Sequence, residues 1–150
     1  MSTTKEKSTD IIETMAEWFD KFPALPKNWR EVLVKIAPIL SLIFGIIGII
    51  ACIGGLGILS PAPLAFFGGA AGIASYGTGI LAVLIYLIGY VLLLAAYPGL
   101  RARKYKGWKL LFWNGIVNLI GGLVSLSILS AIIGALIGFY LIFQIRSYYK

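Results

Sequence analysis

Arg101-Ala102-Arg103-Lys104-Tyr105-Lys106-Gly107-Trp108-Lys109 carries every charged side chain between Lys35 and Arg146, and all of that charge is positive. Apolar sequence runs away from it in both directions, far enough on each side to cross a bilayer twice. Moving Lys and Arg through hydrocarbon is costly, so a cationic loop between spans stays in the cytoplasm. Holding that loop inside sets the direction of every other segment.

The composition supports a membrane setting. Of 150 residues, 59% are apolar and 13% charged, against about 45–50% and about 25% in soluble domains; the mean hydropathy is +0.92. The formal charge of +7 is unevenly spread: all 6 acidic residues fall at or before Glu31, and the chain has no His. Intramembrane proton relays, cation coupling and metal sites draw on Asp, Glu or His. The expectation is therefore a non-enzyme with no catalytic residue, no cofactor and no metal ligand. Cys52 is the lone cysteine, so no intrachain disulfide can form. Ile49-Ile50-Ala51-Cys52 resembles a lipoprotein processing box, but the polar region before it is too long for a secretory signal. Cys52 reads as a small packing residue, and the first apolar run as a retained anchor.

Residues 1–27 form a polar N-terminal segment, and 28–150 a transmembrane domain. Residues 1–9 read as disordered. Asp10-Ile11-Ile12-Glu13 has the form of a capping box, opening an amphipathic helix over 10–22 with Ile11, Ile12, Met15, Trp18, Phe19 and Phe22 on its apolar side. Such a helix lies on the membrane surface or on a partner. Its acidic opposite face, with Glu13 and Glu17, could dock on the basic loop. Pro23 and Pro26 stiffen the linker, and Asn28 with Glu31 repeats the capping pattern. Four spans follow, at about 33–54, 76–97, 108–126 and 131–145, the first three near the ~20 residues a bilayer requires. An apolar, Gly-rich outer connection covers 55–75. Lys27, Arg30, Lys35, the central loop, Arg146 and Lys150 then share one side. Trp29, Tyr97, Tyr105, Trp108, Trp113 and Tyr148 form an aromatic belt there. The fold class is all-α: an integral membrane four-helix bundle of two helical hairpins, preceded by an interfacial helix, with both termini cytoplasmic.

Three groups of residues stand out for recognition. Arg101, Arg103, Lys104, Lys106 and Lys109 suit the anionic headgroups of the lipid bilayer, at about 1 kcal/mol per basic residue near the surface; interleaved Tyr105 and Trp108 fit an interface better than nucleic acid. Ser41, Gly45 and Gly48 in span one, and Ser130, Gly134 and Gly138 in span four, put small residues where a second helix can approach closely. They imply helix packing within the subunit, or contact with another copy or a larger membrane complex. Asn114 and Asn118 lie one turn apart in span three, with Gln144 and Tyr140 of span four as expected hydrogen-bond partners. These amides glue the two spans together or line a path for a neutral or anionic solute.

Pro98-Gly99-Leu100-Arg101-Ala102-Arg103-Lys104, then Gly107-Trp108-Lys109-Leu110-Leu111-Phe112, and the stretch Ile137 to Tyr149, resemble a group of small bacterial four-span membrane proteins of uncharacterised function. The resemblance covers about the last third and implies a bacterial inner-membrane setting without implying an activity. Small multidrug exporters share the size and span number, but their intramembrane glutamate has no counterpart here.

These observations point to a membrane scaffold or assembly subunit, self-associating or serving a larger complex, with a small facilitator for a neutral or anionic solute as the alternative. A reporter enzyme active only outside the cytoplasm should be active when inserted near Ser60 or Ser127 and silent when inserted in the 101–109 loop. Activity in the reverse pattern overturns the topology.

Overall fold

A computed structural model describes residues 2–58, 76–125 and 127–150, and all regular structure in them is helical. The order is α1 (Ser2–Phe19), α2 (Lys27–Ile58), α3 (Tyr76–Arg101), α4 (Tyr105–Val124) and α5 (Ile128–Gln144), followed by one 3-10 turn, Arg146–Tyr148. From residue 59 onward the expected outer connection lies outside the described residues. Three helices, within Lys27–Gly54, Ile80–Arg101 and Ile128–Tyr148, are long and apolar enough to cross a membrane. The chain is a multi-helix integral membrane protein.

The expected third span corresponds to α4, which has the length but falls short in apolarity. Lys106, Lys109, Asn114 and Asn118 all lie on it. Packing explains how it tolerates them: α4 lies between α3 and α5 and packs against both. Protein, not lipid, faces much of its surface, so it does not have to be uniformly apolar.

Each long helix packs on its neighbour in sequence: α2 on α3, α3 on α4, α4 on α5. Among the described residues α2 and α5 form no substantial packed pair, so the four helices expected as a bundle pack in sequence order, as a row. At one end α1 closes the gap. Ile12 and Phe19 of α1 share a single buried cluster with Val34 of α2, Trp108 and Phe112 of α4, and Phe139 and Ile145 of α5.

α1 therefore differs from the expected surface helix. It begins at Ser2, so Asp10 lies inside it and caps nothing; its carbonyl accepts from the Thr14 hydroxyl at 2.8 Å. Ile12 and Phe19 are 1% and 4% exposed, while Glu13 and Glu17 point outward. Ile12, Met15 and Phe19 of the apolar stripe pack on the protein itself while Ile11, Trp18 and Phe22 stay exposed, and docking does not proceed through the acidic face. Burying two large side chains is worth about 1.5–3 kcal/mol each, whereas exposed ion pairs yield about 0–1 kcal/mol.

α3 runs through Pro98 and ends at Arg101, past the expected stop at 97. Neighbouring helices can compensate for the donor that a membrane-helix proline lacks. Here the neighbour is very close: a Cβ built on Gly99 would stand 2.6 Å from the Gly107 Cα of α4. The two backbones touch at the α3–α4 hairpin because neither residue has a side chain. Gly107→Ala should force the hairpin open and cost about 1–3 kcal/mol by overpacking, read as a lower unfolding midpoint in detergent. An unchanged midpoint would show that the contact is not needed.

Candidate functional site

The linker after α1, the α3–α4 loop and the C-terminal turn meet at one end of the row. Lys104 N–H donates to the Gly99 carbonyl at 2.8 Å and Arg103 N–H to Leu100 at 3.1 Å, closing the end of α3 in the manner of a Schellman motif. The residue between is Arg103, with φ 52°, a left-handed conformation that favours glycine. Tyr105 N–H donates to the Lys150 carbonyl at 2.9 Å, and Lys150 N–H to the Arg103 carbonyl at 3.2 Å. Residue 150 is thus bonded directly to the cationic loop.

Arg101, Arg103, Lys104 and Lys106 are exposed, and Lys109 is half-buried. Arg101 also reaches the Tyr97 hydroxyl at 3.3 Å. This exposure leaves the loop cations at the surface, where charged headgroups could meet them. Trp108 behaves differently. Expected in an interfacial belt, it is completely buried, with its indole N–H donating to the Ile142 carbonyl at 2.8 Å. Tyr105 and Phe112 stack near its ring at 5.4 and 6.0 Å, Phe143 meets it edge-on at 5.5 Å, and the Arg146 guanidinium lies 5.5 Å from its centre. That last contact is a cation–π pair. The signal for this cluster was present in the spacing: Trp108 and Phe112, like Phe139 and Phe143, are four apart and share a helix face.

The intramembrane amides are arranged otherwise than expected. Asn118 Nδ2 donates to the Asn114 carbonyl and to Asn114 Oδ1, both at 2.8 Å. A Cβ on Gly89 would lie 3.2 Å from each side chain, so the pair faces α3 and not α5. Gln144 and Tyr140 serve the linker instead: Leu25 N–H donates to Gln144 Oε1 at 3.1 Å, and the Tyr140 hydroxyl donates to the Pro23 carbonyl at 2.6 Å. Two exposed-chain backbone groups beside the prolines are satisfied in this way. With the asparagines closed on each other, the solute path loses the observation that suggested it.

The two small-residue stripes also part company. On α2, Ser41 is 2% exposed and donates to the Pro38 carbonyl. The space above Gly45 is taken by Leu94, 2.6 Å from an added Cβ, and that above Gly48 by the Tyr90 ring. This stripe packs α2 on α3, and buried Cys52 continues it. On α5, Gly134 and Gly138 have none of the described residues within 4 Å of an added Cβ, and Ser130 is exposed with its hydroxyl bonded to the Ser127 carbonyl.

Tyr149 was not singled out by the sequence. It is 4% exposed, and its hydroxyl is buried with no hydrogen-bond partner among the described residues. Burial pushes its phenol upward, with the Arg103 charge pulling the other way. Among the described residues no group of three or more His, Cys, Asp or Glu could hold a metal ion.

Tyr140→Phe combined with Gln144→Leu should expose residues 20–26 to limited proteolysis while leaving helical content unchanged. Equal protection in the double variant would mean that aromatic packing of Phe19 and Phe22 alone holds the linker.

Comparison with protein-family models, with curated proteins and with solved structures finds no match for this chain, so the reading of its function rests on the geometry above.

Proposed function

We propose that the chain is a non-catalytic scaffold or assembly subunit of a bacterial inner membrane, crossing it four times with both termini in the cytoplasm, and that α5 joins it to a second copy of itself. One contrast carries this reading. The Ser41, Gly45, Gly48 stripe is filled by the subunit's own Tyr90 and Leu94, whereas no described residue fills the Gly134, Gly138 stripe of the same design. Small residues let helix backbones approach, which is the main source of helix association in lipid, where apolar burial drives little.

The coverage of the helices supports the same surface. Of the three most apolar helical windows, that of α5 is 11% buried, against 22% in α3 and 28% in α2. Ile133, Leu136 and Ile137 flank the glycines and are 49%, 45% and 57% exposed, giving side chains that can interlock around a close crossing. A symmetric pair would make the same patch serve both copies. Grouping Lys27, Arg30, the 101–109 loop and Arg146 at one end supports a cytoplasmic placement of that end.

Cross-linking or single-molecule counting in lipid nanodiscs should find a dimer that Gly134→Leu with Gly138→Leu converts to a folded monomer. Gly48→Leu, by contrast, should disrupt the subunit, because Tyr90 occupies the space. A monomeric wild type, or a dimer indifferent to the α5 substitutions, overturns the proposal.

A further inference from the structure

Beside the buried aromatic cluster, at the end where the linker, loop and C-terminal turn meet, the protein contains a cleft of about 530 Å³ that opens to the outside. Its walls come from four segments: the end of α1 with its linker, the first turn of α2, Tyr105 at the start of α4, and the end of α5 with the residues after it. Arg30 comes from α2; Phe143, Gln144, Arg146 and Tyr149 come from α5 and beyond; Asp20 lies after α1. No single helix end or charge cluster builds this site.

The polar groups around it share a chemistry. Arg30 and Arg146 are half-buried, and neither guanidinium meets a carboxylate among the described residues. The backbone holds Arg30 through Nε, which donates to the Leu25 carbonyl at 2.8 Å. Among the described residues its two terminal nitrogens have no acceptor. Arg146 is held by its face over Trp108, a contact that does not engage the N–H edge. Asp20 is the one carboxylate lining the cleft, and it is exposed, where water screens its repulsion. Two guanidiniums fixed from behind offer N–H donors to the oxygens of a phosphate. Phe19, Phe22 and Phe143 supply apolar wall.

We propose that this cleft binds a phosphate group, received as the headgroup of an anionic phospholipid whose glycerol portion lies against the phenylalanines. The site is distinct from the exposed loop cations, which attract headgroups diffusely without shaping a pocket. It depends on the cationic end lying at the membrane surface, but not on self-association, because the test is made on protein held monomeric in neutral detergent.

The full chain in such detergent is titrated with short-chain phosphatidylglycerol, and in a parallel arm with inorganic phosphate, while Trp fluorescence and the unfolding midpoint are followed. The lipid should saturate at one per chain and raise the midpoint. Arg30→Gln should weaken it at least about tenfold. Arg146→Gln should weaken it several-fold. Lys104→Gln with Lys106→Gln should leave the saturable site intact. Saturation by inorganic phosphate, with the same sensitivity to Arg30 and Arg146, would keep the phosphate chemistry and overturn the lipid as its source. Absence of saturable binding in both arms, or binding unchanged by Arg30→Gln and Arg146→Gln alike, overturns the site.

Discussion

The indole of Trp108, sealed from solvent and bonded to the Ile142 carbonyl, is the contact on which the rest of the cationic end is assembled. It fixes the first turn of α4 against the last turn of α5. It also gives Arg146 a ring face to rest on, and places Phe112 and Phe143 where Phe19 can stack at 5.3 Å from the latter. A buried indole N–H needs an acceptor, and a carbonyl in the last turn of a helix has no intrahelical donor. Each therefore satisfies the other. Through Phe19 the same cluster draws α1 into the protein, and through Tyr105 and Lys150 it ties the C-terminal turn to the loop.

Away from that end, contact between helices depends mostly on residues that are missing a side chain. Gly45 and Gly48 admit Leu94 and Tyr90, Gly115 admits Phe139, and Gly122 lies against Ala131. In hydrocarbon there is little gain from hiding apolar surface, so close approach and shape decide which helices meet. The row α2–α3–α4–α5 follows from this: each adjacent pair has a glycine surface matched by a bulky or small residue opposite. α5 has a second such surface with none of the described residues opposite it, which is why that face is the one to look to for a partner.

Polar groups within the row are few and are used in pairs. Asn114 and Asn118 satisfy one another beside Gly89, while Gln144 and Tyr140 hold backbone groups of the linker. The exception is at the cationic end, where Arg30 and Arg146 line a cleft with no carboxylate bound to either among the described residues. Charge at this end thus has two forms, one dispersed over an exposed loop and one gathered around a cavity.

By itself the sequence determined the membrane character, the helical class, the small-residue stripes and the gathering of cations on one side. Each of these is a property of local composition or spacing, and bilayer chemistry acts on those directly. It also determined the aromatic pairs at 108 and 112 and at 139 and 143, though their meaning was not legible while Trp108 could equally have been an interfacial anchor. Only the tertiary structure decided that α1 buries Ile12 and Phe19 in the protein, since an amphipathic face looks the same whether it will meet lipid or another helix. Only the tertiary structure, too, turned the asparagines toward α3 and separated a filled glycine stripe from an open one. Rotation of a helix about its own axis, and the choice of its neighbour, are fixed by contacts between residues distant in the chain. No local pattern encodes them.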